Sequence, residues 1–572
     1  MKAMKTWRGR MAMKVNRRDL LGAVGVASAS SAFGTAAMAT GQAGGSAQER
    51  PFTPDWPSLA AGYRAPDWYR DAKFGMWAHW GPQCVPEEGD WYARDMYLQG
   101  SRAYNAHVRK YGHPSKVGFL DIIGQWKAEH WDPERQLDLY TRAGAKYFVA
   151  LANHHDNLDT FASSHPWNTT RVGPKRDIVG TWARLAKARG LRFGVSNHGA
   201  HSWHWYQPAY GYDPEGAMQG RRYDAAWRTK ADGRGTWWDG LDPQQLYNGP
   251  IMPMPGGITN RTEADAFHER TDRLWSEGVP PGRPDLVAGW ARRCRELIDN
   301  YQPDLVYFDN FDLPFEQAGL DIAAYYYNAN RRWHGGRLEG VLTVKTTPPQ
   351  RRMALVDDVE RGGKTYIESY AWQTDTCLGN WHYDRALYER DGYKSAATVV
   401  HTLCDVVSKN GNLLLNVPMR GDGTIDEKAE RIVEGIAAWM GRYGEAIYGS
   451  RPWRVHGEGP GAASGGMFSE TQESKYTARD IRYVRKGEAL HALVLGWPED
   501  GVVWLTLLAN GNTIGRGEVA RVTLFGDTTP LVFRRTDTAL EVTLPARARN
   551  AIGVPLVLSG AGLVAGSLAD PV

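Results

Sequence analysis

From about Pro54 onward, short β-branched or aromatic apolar runs alternate with stretches of helical periodicity, and this alternation narrows the fold more than any other feature of the chain. Ala145 to Ala152 (AKYFVALA) follows the helix-like Pro133 to Ala143, Leu191 to Ser196 (LRFGVS) follows Ile178 to Arg189, and Leu305 to Phe308 (LVYF) follows Val287 to Asn300. Strands reached through helices at this rhythm pair in parallel, so the expected class is α/β, a (β/α)8-type, TIM-like barrel. The expected barrel covers residues 54–451, with an aromatic-rich insertion at about 202–289 that is too long for an ordinary connection and is expected to cap the active face. From Pro452 helices give way to strands (Ala489 to Gly496, Val502 to Leu508, Val519 to Leu524, Ala539 to Leu544, Val554 to Leu558), which predicts a C-terminal β-sandwich over 452–572.

The N-terminus reads as an address. Lys14 to Leu21 (KVNRRDLL) precedes an Ala/Ser/Gly-rich stretch and the small-residue pattern Ala37-Met38-Ala39, which together predict a twin-arginine signal peptide over 1–39, with Asn16 where Ser or Thr is commoner. The expected location is periplasmic or secreted. The apolar stretch is interrupted by Ser, Thr and Gly and falls short of the ~20 residues a span needs, so no stable membrane insertion is expected. Residues 40–53 read as a disordered linker.

A net charge of +4 on 572 residues leaves no footprint for a nucleic-acid partner. The 24 Trp and 27 Tyr instead suit the apolar C–H faces of sugar rings. Cys84, Cys294, Cys377 and Cys404 lack CxxC spacing and are expected to be buried thiols.

Side chains just past the strand ends of a parallel barrel project into the catalytic face. Such positions hold His79 (in KFGMWAHWG), then Asn153, His154, His155 and Asp156, then Asn197 and His198, and finally Asp309. Neutral imidazoles each offer one donor and one acceptor, suited to vicinal sugar hydroxyls. A metal reading of His154 and His155 is open, but adjacent residues on a strand point in opposite directions and make a poor clamp, so no metal and no cofactor is expected. Glycoside cleavage through a covalent intermediate needs an ionised nucleophilic carboxylate and a second, initially protonated carboxyl. Asp309 fits the first role. For the second, Met353 to Tyr370 offers Asp357, Asp358, Glu360 and Glu368; Glu360 is preferred for its reach, with Asp358 the runner-up on the same side of the run LVDDVE.

These motifs, in this order, resemble the glycoside hydrolase family 29 α-L-fucosidases. The resemblance runs from about Trp56 to Trp453 through KFGMWAHWG, DWY (Asp90 to Tyr92), AGAKYFVALANHHDNLD (Ala143 to Asp159), WNT (Trp167 to Thr169), GPKRDIVG (Gly173 to Gly180), YQPDLVYFD (Tyr301 to Asp309), WQTDTCLGNWHY (Trp372 to Tyr383), DVVSKNGNLLLNV (Asp405 to Val417), DGTI (Asp422 to Ile425) and GEAIYGSRPW (Gly444 to Trp453). It implies a retaining exo-α-L-fucosidase acting on fucosylated oligosaccharides or glycoconjugates, with a barrel and a C-terminal β-sandwich and no cofactor. By position, Asp309 is similar to the family nucleophile; His79, Trp91, His154 and His155 resemble the sugar-binding set; and Lys345 stands where relatives carry an Arg near the nucleophile. Asp90, His198 and Trp372 complete the expected substrate-binding residues. The sequence departs from relatives at Asp90 (commonly Glu), at Ser196 and His198 (a Tyr-rich strand end), and at Asn157 (commonly Gly), where the turn must accept Asn at φ > 0. Linkage preference and sugar identity stay open: α-L-galactosidase activity on the same site is one alternative, and a non-catalytic carbohydrate-binding barrel is another. Oligomeric state is not legible.

Overall fold

Eight apolar runs close into one barrel in the computed structural model, which describes residues 50–272, 278–345, 347–461, 465–470 and 476–567. The expected signal peptide and residues 40–49 of the expected linker lie outside the described residues. The barrel strands are β1 (Phe74–Ala78), β2 (Tyr147–Asn153), β3 (Arg192–Asn197), β4 (Leu305–Phe308), β5 (Val341–Lys345), β6 (Val356–Asp358), β7 (Trp372–Cys377) and β8 (Gly411–Asn416). Each pairs in parallel with the next, and β8 returns to β1.

Helices cover the outside of the barrel and side chains fill the inside, so the strands are buried on both faces and read as continuous apolar runs. The helices between them begin where an acceptor side chain can satisfy a free amide. Asp177 accepts from Gly180 N at 2.8 Å to open Ile178–Ala188, and Asp426 accepts from Lys428 N and Ala429 N, both at 2.9 Å, to open Glu427–Tyr443. Pro133 occupies the first turn of Pro133–Arg142, where its missing N–H costs nothing.

The barrel interior is partly polar. Gly75 on β1 has no side chain because the Tyr147 ring fills that space: a Cβ there would lie 2.3 Å from the ring. The Tyr147 hydroxyl donates to Gln373 Oε1 at 3.1 Å, Gln373 Nε2 donates to Asp358 Oδ1 at 2.9 Å, and the Tyr307 hydroxyl donates to Asp375 Oδ2 at 3.0 Å. Burial, then their mutual charge, pushes the Asp358 carboxyl well above its usual range; burial, then Glu360, pushes Asp375 up to about 7.

Beyond β3 the insertion runs through short helical turns and one longer helix, Arg261–Asp272. Asn157 anchors it: at φ 60° its amide donates to Gln245 O, Leu246 O and Asn248 Oδ1 at 3.0–3.1 Å, and its Oδ1 accepts from Arg293 at 2.9 Å. Asparagine tolerates the left-handed region, and here its side chain does what a glycine could not.

C-terminal to the barrel, β9 (Arg451–Glu458), β10 (Ile481–Lys486), β11 (Ala489–Val494), β12 (Val502–Leu505), β13 (Arg521–Leu524), β14 (Phe533–Arg535), β15 (Leu540–Thr543) and β16 (Val554–Ser559) form two antiparallel sheets, ordered β13-β16-β11-β10-β9 and β12-β15-β14. β9, β10 and β14 go unread in the sequence because charged residues interrupt their alternation. The five-stranded sheet docks on the barrel through polar anchors. Arg482 on β10 donates to Asp405 on the barrel helix Ala396–Ser408 at 2.6 Å, and the Trp439 indole donates to Gly553 O at 2.9 Å. All four cysteines are buried and free.

Because Asp375 is raised when folded, its protonated form favours the fold: this stability is complete below the ordinary carboxylate range and is lost as pH rises through about 7. Asp375→Asn cannot titrate. Its Tm relative to the wild type is expected to rise by about 1–3 °C between about pH 6 and 8, measured by calorimetry; a flat difference overturns the assignment.

Candidate active site

The strand register sets the central contact. β4 pairs Leu305 with Val341 and Tyr307 with Thr343, and the pairing continues past β4 with Lys345 N donating to Asn310 O at 2.7 Å. Asp309, just beyond β4, therefore sits beside Lys345 at the end of β5. Two strands further on, the chain leaving β6 stays paired with β7: Val359 N donates to Gln373 O at 2.9 Å and Arg361 N to Asp375 O at 2.8 Å. Glu360, between those two amides, lies two residues past Asp358, the last residue of β6.

The Lys345 ammonium contacts both Asp309 Oδ1 and Glu360 Oε2. Two oxygens bonded to one nitrogen lie within ~6 Å of each other. On its other oxygen Asp309 meets two imidazoles, His198 Nδ1 at 3.0 Å and His155 Nε2 at 3.1 Å. Burial raises the Asp309 carboxyl, but Lys345, His198 and His155 outweigh it and hold the group well below the usual carboxylate range. Lys345 is likewise held well above its ordinary value: burial lowers it, and Asp309 and Glu360 more than compensate. Glu360 Oε1 accepts from the Trp381 indole at 3.0 Å.

Around this charged centre stands a wall of imidazoles. The His79 ring lies 5.0 Å from His198, 5.2 Å from His154 and 4.7 Å from His382, all edge to face. Burial, and then the neighbouring histidines, pushes His79 and His154 well below the ordinary imidazole range, so both are neutral. Gln83 lies 2.7 Å from His154 Nδ1, fixing that ring and leaving its other nitrogen for a ligand. His155 Nδ1 faces the His198 carbonyl at 2.7 Å. Burial pulls His155 down to about 4, with Asp309 opposing, yet both of its nitrogens face oxygen acceptors, an arrangement that only the doubly protonated ring satisfies. That direct geometry favours the charged ring beside ionised Asp309.

His79, His154, His155, His198, Asp309, Lys345 and Glu360 thus converge. Trp91, at φ 66°, packs edge-on against Trp205 from the insertion at 4.8 Å, and Trp205 in turn meets His154 and His155. Asp90 plays a supporting part: its carboxylate accepts from His382 N at 2.8 Å and so holds the loop after β7.

Several expectations change. Trp372 opens β7 at the end remote from the site, fully buried with its indole donating to Lys409 O at 2.9 Å, so it packs the core and does not reach substrate. The tryptophan of that motif facing the site is Trp381, past the end of β7; His382 and Gln83 are further members the sequence reading missed. Asp358 lies below the mouth, inside the barrel and bonded to Gln373, which removes it as the second carboxyl. Asp357 is bound by Thr347 N at 2.6 Å and Lys364 at 2.5 Å. Finally, His154 and His155 do not diverge. β2 ends at Asn153, the chain turns with Asn157 N donating to His154 O at 3.1 Å, and strand alternation no longer applies, so the two rings lie 4.5 Å apart.

Among the described residues, two groups have donor atoms close enough for a metal ion, His79/His154/His198 and His155/His198/Asp309, each with its ligand atoms within 4.8 Å of one another. Neither uses His154 and His155 together. In the second, Asp309 is already engaged by Lys345.

The family model for α-L-fucosidase matches residues 39–445, and that for the α-L-fucosidase C-terminal domain matches residues 472–557. The chain is 28% identical to the tissue α-L-fucosidase of Rattus norvegicus over 473 residues, covering 81% of this chain and 83% of that protein. It is 27% identical to the tissue α-L-fucosidase of Homo sapiens over 467 residues, covering 79% and 80%. Among solved structures it is similar to the α-fucosidase of Thermotoga maritima in complex with a mechanism-based inhibitor, with a TM-score of 0.63 and 25% identity over 89% of this chain and 99% of that one. With a family match across most of its length and the barrel and antiparallel sheets to accompany it, the chain belongs to the α-L-fucosidase family of glycoside hydrolases.

Proposed function

We propose that this chain is a retaining exo-α-L-fucosidase that releases terminal α-L-fucose from glycans or glycoconjugates through a covalent glycosyl-aspartate. The supporting observation is the single ammonium shared by Asp309 and Glu360. A shared ammonium holds the nearer oxygens of the two carboxyl groups within ~6 Å of each other, which supports the short separation of a double displacement over the longer one that admits a water on the far face of the sugar. Asp309, held ionised by Lys345, His198 and His155, attacks C1. Glu360 gives its proton to the departing glycosidic oxygen; water deprotonated by Glu360 then attacks C1, the C1–Asp309 bond breaks, and the α-anomer of the sugar leaves. His79, His154 and His198 offer ring nitrogens to the hydroxyls, and Trp91 with Trp205 covers an apolar face of the sugar.

Asp309→Asn is expected to lower kcat at least about a thousandfold while sugar binding by calorimetry survives. NMR of the wild-type reaction should show the α-anomer first; initial β-anomer would make the enzyme inverting. A matched α-L-galactoside in the same assay tests the alternative sugar. Activity is expected to persist in excess chelator, and its loss, restored by added zinc, would transfer the chemistry to the His79/His154/His198 group.

We further propose export through the twin-arginine route, supported by Arg17-Arg18 and Ala37-Met38-Ala39. Paired Arg17→Lys and Arg18→Lys changes are expected to hold the uncleaved precursor in the cytoplasm on fractionation and immunoblotting; unaltered export would refute it.

A further inference from the structure

Glu360 begins the sequence Glu360-Arg361-Gly362-Gly363, which turns sharply at the barrel mouth with Arg361 at φ 48°. Against this turn lies a piece of chain from the other module. Residues 465–470 belong to the connection between β9 and β10 of the C-terminal sheet, about a hundred residues further along the sequence. Phe468 N donates to Glu360 O at 2.8 Å, Glu470 N donates to Arg361 O at 2.9 Å, and Gly466 forms an antiparallel bridge with Gly363. The approach is backbone to backbone: a Cβ on Gly362 would lie 1.9 Å from the Gly466 carbonyl oxygen. Gly362 is thereby accounted for by a distant segment.

Glu470 fastens this contact. Its Oε1 accepts from Arg361 Nε at 2.6 Å and from Lys394 at 3.0 Å, and its Oε2 accepts from the Thr376 hydroxyl at 2.6 Å. Thr376 lies on β7 and Lys394 further along the chain, so one carboxylate ties the turn carrying Glu360 to the next barrel strand. Burial raises Glu470, but Lys394 and Arg361 outweigh it and keep it below its ordinary value, hence ionised. The Glu470 carboxylate is taken up by Arg361, Lys394 and Thr376, so what it contributes to the site passes through the turn of residues 360 and 361.

We propose that Glu470 is a positioning residue for the reaction: through Arg361 and the 465–470 segment, the C-terminal module sets where the carboxyl of Glu360 meets the leaving group. This rests on the assignment of Glu360 as acid/base. The distinguishing readout is the leaving-group dependence of kcat/KM, which reports the first, glycosylating step: there a displaced acid matters for a sugar aglycone and hardly at all for α-L-fucosyl fluoride, whereas the second step, in which Glu360 acts as base, is common to both substrates.

Glu470→Gln, nearly isosteric and neutral, Glu470→Asp and Glu470→Ala are compared with Glu360→Ala on a fucosyl disaccharide and on the fluoride, with Tm recorded for each. For Glu470→Gln, kcat/KM on the disaccharide is expected to fall roughly 10- to 100-fold. For the fluoride, kcat/KM should stay close to that of the wild type, and Glu470→Asp, which keeps the charge, should recover part of the loss on the disaccharide. If Glu360→Ala lowers kcat/KM equally for both substrates, the acid/base assignment fails. If Glu360→Ala is selective for the disaccharide while Glu470→Gln affects both substrates alike, or neither, the positioning proposal fails and the assignment stands. Should Glu470→Ala not fold, the Gln and Asp variants decide the matter.

Discussion

An ammonium held between two carboxylates is the interaction on which the site depends. Asp309, Glu360 and Lys345 are all largely removed from water, where an unpaired charge is prohibitive and a paired one is favourable only with good geometry. On the far oxygen of Asp309 the two imidazoles add their contacts to the one from Lys345. Parallel strand pairing supplies the geometry: β4 and β5 are in a register that puts positions 309 and 345 side by side, and a slip of one residue would turn the lysine into the barrel wall. In the polar interior beneath, burial raises both Asp358 and Asp375, and their hydrogen bonds to Gln373 and Tyr307 hold them below the mouth.

The histidine wall follows from the same constraint. Around a charged cluster, hydrogen-bonding surroundings that add no further net charge are favoured, and the buried neutral imidazoles of His79 and His154 meet that need while each keeps a nitrogen for a ligand. Gln83 fixes one face of His154 and a backbone carbonyl fixes His155, so these rings are set before substrate arrives. Both His382 nitrogens and His79 Nδ1 are buried without a hydrogen-bond partner, and such polar atoms are costly unless something completes them. A hydroxyl-rich ring able to donate and accept at several points suits that surface.

How much of this could be read in the sequence depended on what holds each residue. Asp309, His79 and His198 were legible because each sits one step past an apolar strand, where a parallel barrel aims side chains at its mouth. On β7 the site residues lie further out, with Trp381 and His382 four and five residues past Cys377, where the one-step rule does not reach; Trp372 opens the strand and belongs to the core. His154 and His155 were misjudged because period-two alternation was carried past the last strand residue into a turn. The barrel and sandwich were legible from periodicity, whereas β9 and β10, rich in arginine, histidine and lysine, were not.

The two carboxylates also differ in the kind of support they receive. Asp309 is held by side chains, Lys345, His155 and His198, each delivered by its own strand end, and side chains leave a signature in the sequence. Glu360 has side-chain contacts with Lys345 and Trp381, but its backbone is fixed by amides from residues 468 and 470, and a backbone amide is chemically the same whatever residue bears it. That support cannot be read locally, and it explains why the choice between Asp358 and Glu360 stayed open until the chain was seen in three dimensions. It also changes the physical role of the C-terminal module. A sheet that docks through Arg482 and Asp405, and extends a connection back to the barrel mouth, is part of the scaffold that fixes the second carboxyl, so the mechanical unit of the site is the barrel and the sheet together.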